Sequence, residues 1–382
     1  MSVVEPTSVT KRILFLTGTR ADFGKLKPLI KSLQEDPQFE PVVFVTGMHM
    51  LAKYGHTYTE VEASGLGAVF QYINQNSSDN MDHVLAKTIT GLSDYVHEIR
   101  PDLMIIHGDR VEALAGACVG ALNNILVGHI EGGEVSGTID EIIRHSVTKL
   151  SHIHFVSNEQ AKARLFQMGE LESNIYVIGS PDIDVMNSSD LPTFDVVQER
   201  YDIQFADYGI LMFHPVTTEL DVLAKEVDVL VNCLIESRLN YVVIFPNNDP
   251  GNELILDAYQ KFEGSKHIRI FPSMRFEYFL TLLRKASFII GNSSAGIREA
   301  PHFGTPTINL GSRQTNRVIC DSVLDVPVNS KEITKALEKA RNMERRKFTL
   351  FGTGDSAERF RSILKDNSFW GVSKQKHFVD RL

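Results

Sequence analysis

Short, nearly unbroken apolar runs alternate along this chain with longer stretches in which apolar residues recur every three or four positions. Runs of the first kind occur at Ile13–Thr17, Val42–Thr46, Leu103–His107, Ile125–His129, His154–Ser157 and Ile175–Ile178. They predict strands covered on both faces. Between them, Lys25–Gln34, Met81–Ile99, Glu112–Leu122, Asp140–Leu150 and Glu159–Gln167 carry the helical period. Alternation of this kind marks βαβ units and a parallel sheet. After a polar, proline-marked stretch, Ser180–Pro192, the pattern restarts, with strands expected at Gly209–Phe213, Tyr241–Phe245, His267–Ile270, Phe288–Ile290 and Thr307–Leu310. A last helical stretch, Ser356–Leu364, has no strand after it and is free to pack back on the first half. The reading is an α/β chain of two doubly wound domains, 1–185 and 186–382, alike in architecture but not in sequence. They would face a cleft lined by strand carboxyl ends, where ligands bind in open α/β sheets.

Composition narrows the function without changing that picture. A chain of 382 residues is long for one domain and comfortable for two. Its net charge of −9 leaves no basic excess to offset a nucleic acid or an anionic membrane surface. A small polyanion held by a few local arginines and helix ends remains compatible with it. Cys118, Cys233 and Cys320 lack paired spacing and read as small core residues of a reducing compartment. The first twelve residues, MSVVEPTSVTKR, have no apolar core or cleavage pattern and read as a loose tail rather than a secretion signal. No apolar run is long enough to span a bilayer. The expectation is a soluble, cytoplasmic protein with no nucleic-acid or membrane partner.

Chemistry is concentrated just after the expected strands. The first is followed by Thr17-Gly18-Thr19-Arg20-Ala21-Asp22-Phe23-Gly24-Lys25. Gly18 and Gly24 permit close backbone approach, and Arg20 and Lys25 add charge beside a helix N-terminus. This is not GxGxxG, so a dinucleotide is not indicated; the same residues also make an ordinary βα turn. Asp109 and Arg110 follow Leu103–His107, either as an ion pair or as a carboxylate beside an anion-binding arginine. After Ile125–His129 come Glu131-Gly132-Gly133-Glu134 and then Asp140 and Arg144, four apart on one helix. Thr138 and Glu141 have capping-box spacing and fit a helix start equally well. Asp109, Glu131 and Asp140 thus converge on one sheet end, where crowded carboxylates raise one another's pKa and suit proton transfer.

In the second half, Pro215 follows His214 and keeps it extended at a strand end, where it suits an anion donor or a general acid. Gly291-Asn292-Ser293-Ser294-Ala295-Gly296-Ile297-Arg298-Glu299 opens a helix with small residues and two hydroxyls, a good diphosphate cradle. The same run is also what a well-capped helix start looks like. Glu299 is expected one turn into that helix, placed to accept from ribose hydroxyls. Arg313 follows the next strand. His152 and His154 alternate across a strand, so their rings point apart and argue against a shared metal; most histidines here read as structural.

Taken together, these motifs resemble the hydrolysing UDP-N-acetylglucosamine 2-epimerases of sialic acid and nonulosonate synthesis. The matching segments are Thr17–Asp22, Thr46–His49, His107–Arg110, His129–Glu134, His214–Thr218 and Gly291–Ser294, in order over roughly residues 12–313. The resemblance implies a GT-B-like fold of two Rossmann-like domains, catalytic carboxylates in the first and UDP in the second, in a homodimer or homotetramer without metal or other cofactor. It implies elimination of UDP to 2-acetamidoglucal, hydration, and release of N-acetylmannosamine. Asp109, Glu131 and Asp140 would handle protons, with His214 close to the diphosphate. Arg20, Arg110, Ser293, Ser294, Glu299 and Arg313 match positions that hold UDP. Asp22, Lys25, Arg144 and Gly291 complete the implied contacts to nucleotide and sugar.

Three alternatives share the fold. The non-hydrolysing epimerase carries a proline after the first-strand arginine and an alanine-glycine-leucine run after the glutamate, where Ala21 and Gly132-Gly133-Glu134 stand here. The segments Thr19–Lys25 and Phe245-Pro246-Asn247-Asn248-Asp249 also look rather like a hydrolysing enzyme for the UDP-2,4-diacetamido sugar (UDP-N,N'-diacetylbacillosamine). A GT-B glycosyltransferase shares the nucleotide cradle but has no need for three acids around C1 and C2. A non-catalytic nucleotide-sugar binding protein is the different-class reading, and the acid cluster counts against it too.

Overall fold

Neighbouring residues of a central strand point to opposite faces, so a strand covered by helices on both sides must be apolar at every position. In the computed structural model, which describes residues 10–76, 79–136, 139–314, 320–349 and 351–380, this is how the central strands are used. In β1 (Lys11–Thr17), Ile13 and Phe15 enter one core while Leu14 and Leu16 enter the core on the other face. The first sheet continues with β2 (Phe39–Val45), β3 (Ala68–Gln71), β4 (Leu103–His107), β5 (Leu126–Ile130), β6 (Ile153–Val156) and β7 (Ile175–Val177). Its order is β3-β2-β1-β4-β5-β6-β7, all parallel.

The second sheet contains β8 (Gly209–Met212), β9 (Tyr241–Ile244), β10 (Ile268–Phe271), β11 (Phe288–Gly291), β12 (Thr307–Leu310) and β13 (Val323–Val326). Its order, β10-β9-β8-β11-β12-β13, is again all parallel. Each sheet reverses its winding between its first and fourth strands, at β1/β4 and at β8/β11. Crevices at such switch points are where open α/β sheets take ligands. The motif-bearing turns after β1, β4, β8 and β11 all open there.

Several expectations shift. Lys11 and Arg12 belong to β1 rather than to a loose tail, held by pairing with Phe39 and Glu40; residues 1–9 lie outside the described residues. The edge strands β3 and β13 were not foreseen. Both are half-exposed, Ala68-Val69-Phe70-Gln71 and Val323-Leu324-Asp325-Val326, so neither forms an apolar run. The polar stretch Ser180–Pro192 contains a helix, Pro181–Asn187, started by a proline in its first turn. The helix Ser356–Lys365 returns to the first sheet: the Phe360 ring lies 4.9 Å from Phe155 and 6.4 Å from Phe15. Among the described residues no helix is long and apolar enough to cross a membrane.

The carboxyl-terminal segment is fastened by charge as well as packing. Lys376 Nζ donates to Ser151 O at 2.7 Å and pairs with Glu170, which Lys149 reaches at 2.7 Å. His154 Nε2 lies 2.9 Å from the same carboxylate, while His152 Nε2 lies 3.0 Å from Lys374 O. The two histidines therefore serve different partners. Glu170 is buried, and burial alone would raise its pKa; the bond from His154 and the two lysines bring it down to about 2. Its contribution to stability is present above the ordinary glutamate range and is lost as pH falls toward 2. Glu170→Gln should cost about 3 kcal/mol near neutral pH, the low end for breaking a buried pair, because both lysines keep access to water. In urea titrations the gap to wild type should close between pH 5 and about 2. A gap that does not change with pH contradicts the assignment.

Candidate active site

The turn after β1 is built by short polar side chains. Thr19 caps the helix Arg20–Gln34, accepting from Asp22 N at 3.1 Å, and Asp22 Oδ2 accepts from Gly18 N at 3.1 Å. The other oxygen of Asp22 lies 2.9 Å from Nδ1 of His107, the last residue of β4. His107 Nε2 lies 3.3 Å from Glu131 Oε1, just past β5. Burial alone would lower the His107 pKa, but Glu131 and Asp22 lift it to about 9, so the ring is an imidazolium at neutral pH. Glu131 holds a left-handed φ of 65°, unusual for a residue with a side chain and costing on the order of 1–3 kcal/mol.

The surroundings explain how that conformation is kept. Glu131 Oε1 lies 2.8 Å from Arg298 Nη2 and 3.6 Å from Lys25 Nζ, with the Ser180 hydroxyl donating at 3.3 Å. Lys25 also stands 3.5 Å from Asp182 and 3.3 Å from Glu299. Burial alone would raise the Glu131 pKa, yet Arg298, Lys25 and His107 hold it well below the usual carboxylate range. The expectation that crowded acids raise one another's pKa is therefore wrong for Glu131. Each acid of the cluster has its own cation instead. Arg144 bonds Asp109, Arg313 lies 3.1 Å from Asp140, and Arg298 reaches Glu131. Thr138 lies outside the described residues; its expected partner Glu141 accepts from Ser136 N at 2.9 Å.

From the second half, His214 follows β8 and is locked by Asn292, whose side chain accepts from His214 N at 2.7 Å and donates to its carbonyl at 2.9 Å. Asn247 N donates to His214 Nδ1 at 3.1 Å, so in the neutral ring the proton sits on Nε2. Burial, with Arg313 and Arg110 nearby, pushes the His214 pKa well below the usual imidazole range. The ring is a neutral N–H donor, which fits the anion-donor option better than the general-acid option. The glycine-serine turn is tighter than a helix opening. Residues Ser294–Gly296 form a single 3₁₀ turn, and the α-helix begins at Glu299 rather than a turn before it. The N–H groups of Gly296, Ile297 and Arg298 bond to Ser293 and Ser294 carbonyls. Ser293 Oγ accepts from Ala295 N, which leaves its own proton free to donate.

The two halves touch across the crevice through the motifs. A Cβ on Gly24 would stand 2.5 Å from the Cβ of Phe276, so glycine there sets how closely the halves approach. Arg20 bonds Ser273 at 2.8 Å, and Arg110 bonds Asn248 at 2.8 Å. Between them lies a cleft of about 300 Å³ lined by every expected site residue except Gly291, the last residue of β11, two positions before Ser293. The residues that the sequence reading did not assign are His107, Arg298, Asp182, Ser180 and the asparagines 247 and 292. His107 and Arg298 stood inside motifs already singled out, at a strand end and in the cradle. Asp182 lay in a stretch that offered no signal.

Residues 31–365 match the family profile described as UDP-N-acetylglucosamine 2-epimerase. A Neisseria meningitidis serogroup B protein named UDP-N-acetylglucosamine 2-epimerase is 50% identical over 376 residues, covering 97% of this chain and 99% of that one. A Legionella pneumophila protein named UDP-N,N'-diacetylbacillosamine 2-epimerase (hydrolyzing) is 34% identical over 360 residues, covering 93% and 96%. A crystal structure of UDP-GlcNAc 2-epimerase from Neisseria meningitidis bound to UDP-GlcNAc superimposes with a TM-score of 0.77 at 19% identity, over 93% of this chain and 100% of that one. That likeness shows the fold: two parallel sheets in the GT-B-like arrangement.

Gly291 gives a direct test of the second-half turn. Its φ is +132°, and a Cβ there would stand 1.9 Å from the carbonyl oxygen of Met212 on β8. Gly291→Ala should destabilise the protein by about 3 kcal/mol or more, strain and overpacking adding together. Wild-type stability in denaturant titration of that variant contradicts this packing.

Proposed function

The chain belongs to the UDP-N-acetylglucosamine 2-epimerase family, and on that premise we propose that it is the hydrolysing kind, converting UDP-N-acetylglucosamine and water to UDP and N-acetylmannosamine. The observation that carries the reading is a meeting of unlike groups in one cleft. Three carboxylates stand there with a cation each, facing a neutral histidine donor and a glycine-serine turn from the other half.

The chemistry asks for such a division. The C2 proton of the sugar is only weakly acidic, so the bond from C1 to the diphosphate oxygen must break ahead of its removal. The diphosphate leaves with the electron pair of that bond, and C1 gains oxocarbenium character. The proton at C2 then goes to a base, and its bonding pair forms the C1–C2 double bond of 2-acetamidoglucal. Water adds its hydroxyl at C1, and a proton returns to C2 from the opposite face. Cationic and N–H groups favour the departing diphosphate: Arg20, Arg110 and Arg313, the Nε2–H of His214, and the hydroxyls of Ser293 and Ser294. A neutral His214 suits that task, because it adds a hydrogen bond without needing a proton from solution. Asp109, Glu131 and Asp140 stabilise charge on the ring and carry the protons, each contact supplying roughly 10²–10⁴-fold. Asp22, Lys25 and Arg144 hold these acids and the sugar in place, with Gly291 shaping the turn and Glu299 at its far edge.

Two features favour hydrolysis over return of UDP to the sugar. Glu134, where the non-hydrolysing pattern differs, lies 3.4 Å from Arg298 and accepts from Ser157, so it is part of the same buried network. The Legionella relative is itself named as hydrolysing. The greater identity to the Neisseria protein favours the N-acetylglucosamine substrate over the 2,4-diacetamido sugar.

Incubation with UDP-N-acetylglucosamine in D₂O, followed by proton NMR, should yield UDP and free N-acetylmannosamine deuterated at C2. Accumulation of UDP-N-acetylmannosamine would instead identify the non-hydrolysing reaction. Turnover confined to the 2,4-diacetamido sugar would correct the substrate. Asp109→Asn should keep UDP affinity, measured by calorimetry, while turnover falls by roughly 10²–10⁴-fold. Near-normal turnover in that variant rules out Asp109 as a proton carrier.

A further inference from the structure

We propose that Arg298, carried across the cleft by the second sheet, is the positioning residue that orients and charge-balances Glu131, so that this base is complete only when the two halves are closed on each other. The inference rests on the 2-epimerase reading and deepens it.

Arg298 is only 2% exposed, and its guanidinium hydrogen-bonds through Nη2 while Nη1 and Nε face carboxylates at ion-pair distance. Nη2 lies 2.8 Å from Glu131 Oε1 and donates to the Ser180 hydroxyl, which itself donates to the same glutamate oxygen. Nη1 lies 3.4 Å from Glu134, and Nε lies 3.6 Å from Asp182. The face of the group rests on the Phe351 ring, 4.6 Å from its centroid. Glu134 is held in turn by Ser157. A planar fork can address three acceptors in fixed directions, which a lysine's point charge cannot.

The contacts on Glu131 are one-sided. Arg298, His107, Lys25 and Ser180 all converge on Oε1. Oε2 makes none of these contacts, and Glu131 lines the cleft. A carboxylate gripped through one oxygen presents the other in a single direction, which is what proton abstraction at a fixed carbon needs. Of the three cations on Oε1 among the described residues, Arg298 approaches most closely, and it alone comes from the second half. His107 and Lys25 stay beside Glu131 whether the cleft is open or closed. Arg298 departs with its sheet.

Buried and short of a cation, Glu131 would bind a proton more readily, because burial penalises its charged form and Arg298 is the largest of the charges opposing that. Removing Arg298 should therefore raise the pH needed to ionise the base. The test uses Arg298→Gln and Arg298→Lys in the full-length enzyme. The acid limb of kcat should move to higher pH in Arg298→Gln, with kcat near neutral pH down by roughly 10²-fold and partly restored as pH rises. KM and UDP affinity should change far less than kcat. Arg298→Lys keeps the charge but not the fork, so it should recover part of the lost rate and shift the limb less. The Glu131 carboxyl titration, followed by ¹³C NMR with Glu131→Gln for assignment, reads the same shift without turnover.

Should Arg298→Gln not fold, Arg298→Lys carries the test alone. A folded Arg298→Gln with a wild-type Glu131 titration midpoint and acid limb overturns the proposal, as does Arg298→Lys with wild-type kcat. Failure of the reaction assignment looks different: the wild type turns over no UDP-sugar, while the Glu131 midpoint still moves with Arg298.

Discussion

A carboxylate taken out of water must be given positive charge, and at Glu131 that charge is drawn from both halves of the molecule. Burial of an unpaired carboxylate costs several kcal/mol, which folding on its own does not recover. Here His107 and Lys25 approach from the first half and Arg298 from the second. Much of the surrounding geometry follows from that demand. The turn after β1 must bring Lys25 inward. The helix Pro181–Asn187 must place Asp182 where it balances Lys25 and Arg298. Gly24 must admit Phe276 so that the second sheet comes close enough to deliver the arginine. The left-handed backbone of Glu131 is tolerated because its side chain is held by so many partners.

Two histidines at comparable strand ends show how the same residue type is driven in opposite directions. His107 ends β4 between Asp22 and Glu131 and is charged at neutral pH. His214 follows β8 with arginines for neighbours and a backbone N–H on Nδ1, and it is neutral. Burial acts on both in the same sense, so the sign of the neighbouring charge decides the outcome. Groups of one chemical type pushed apart in this way mark separate chemical tasks within a single site. The charged ring belongs to the carboxylate side of the cleft, the neutral donor to the side where an anion is expected.

What could be read in the sequence was local. The strands of both sheet centres, the turns that follow them and the acids of the first half appear as uninterrupted runs and short motifs. The expected strands fall within three residues of their observed positions. β3 and β13 escaped because edge strands need only one buried face, and a four-residue run such as Val323–Val326 carries too little pattern. The role of Arg298 escaped for a different reason. Its partners Glu131, Glu134 and Asp182 are more than a hundred positions away, and no periodicity records a pairing of that length. The same limit explains the mistaken pKa of Glu131. Carboxylates close in sequence were visible, whereas the cations that neutralise them arrive through the fold.

The three acids also differ in where their cations come from. Asp109 is served by Arg144, from the same half and one helix away. Asp140 and Glu131 are served by Arg313 and Arg298, both from the second half. Separation of the halves would leave Asp109 with Arg144 and take one cation from each of the other two. Water entering the opened cleft would partly replace those cations, but it cannot supply their direction. The division of the chain into two sheets is therefore part of the electrostatics of the site and not only its scaffold. Asp109 keeps its arginine whatever the second half does, while Glu131 and Asp140 each share one with it.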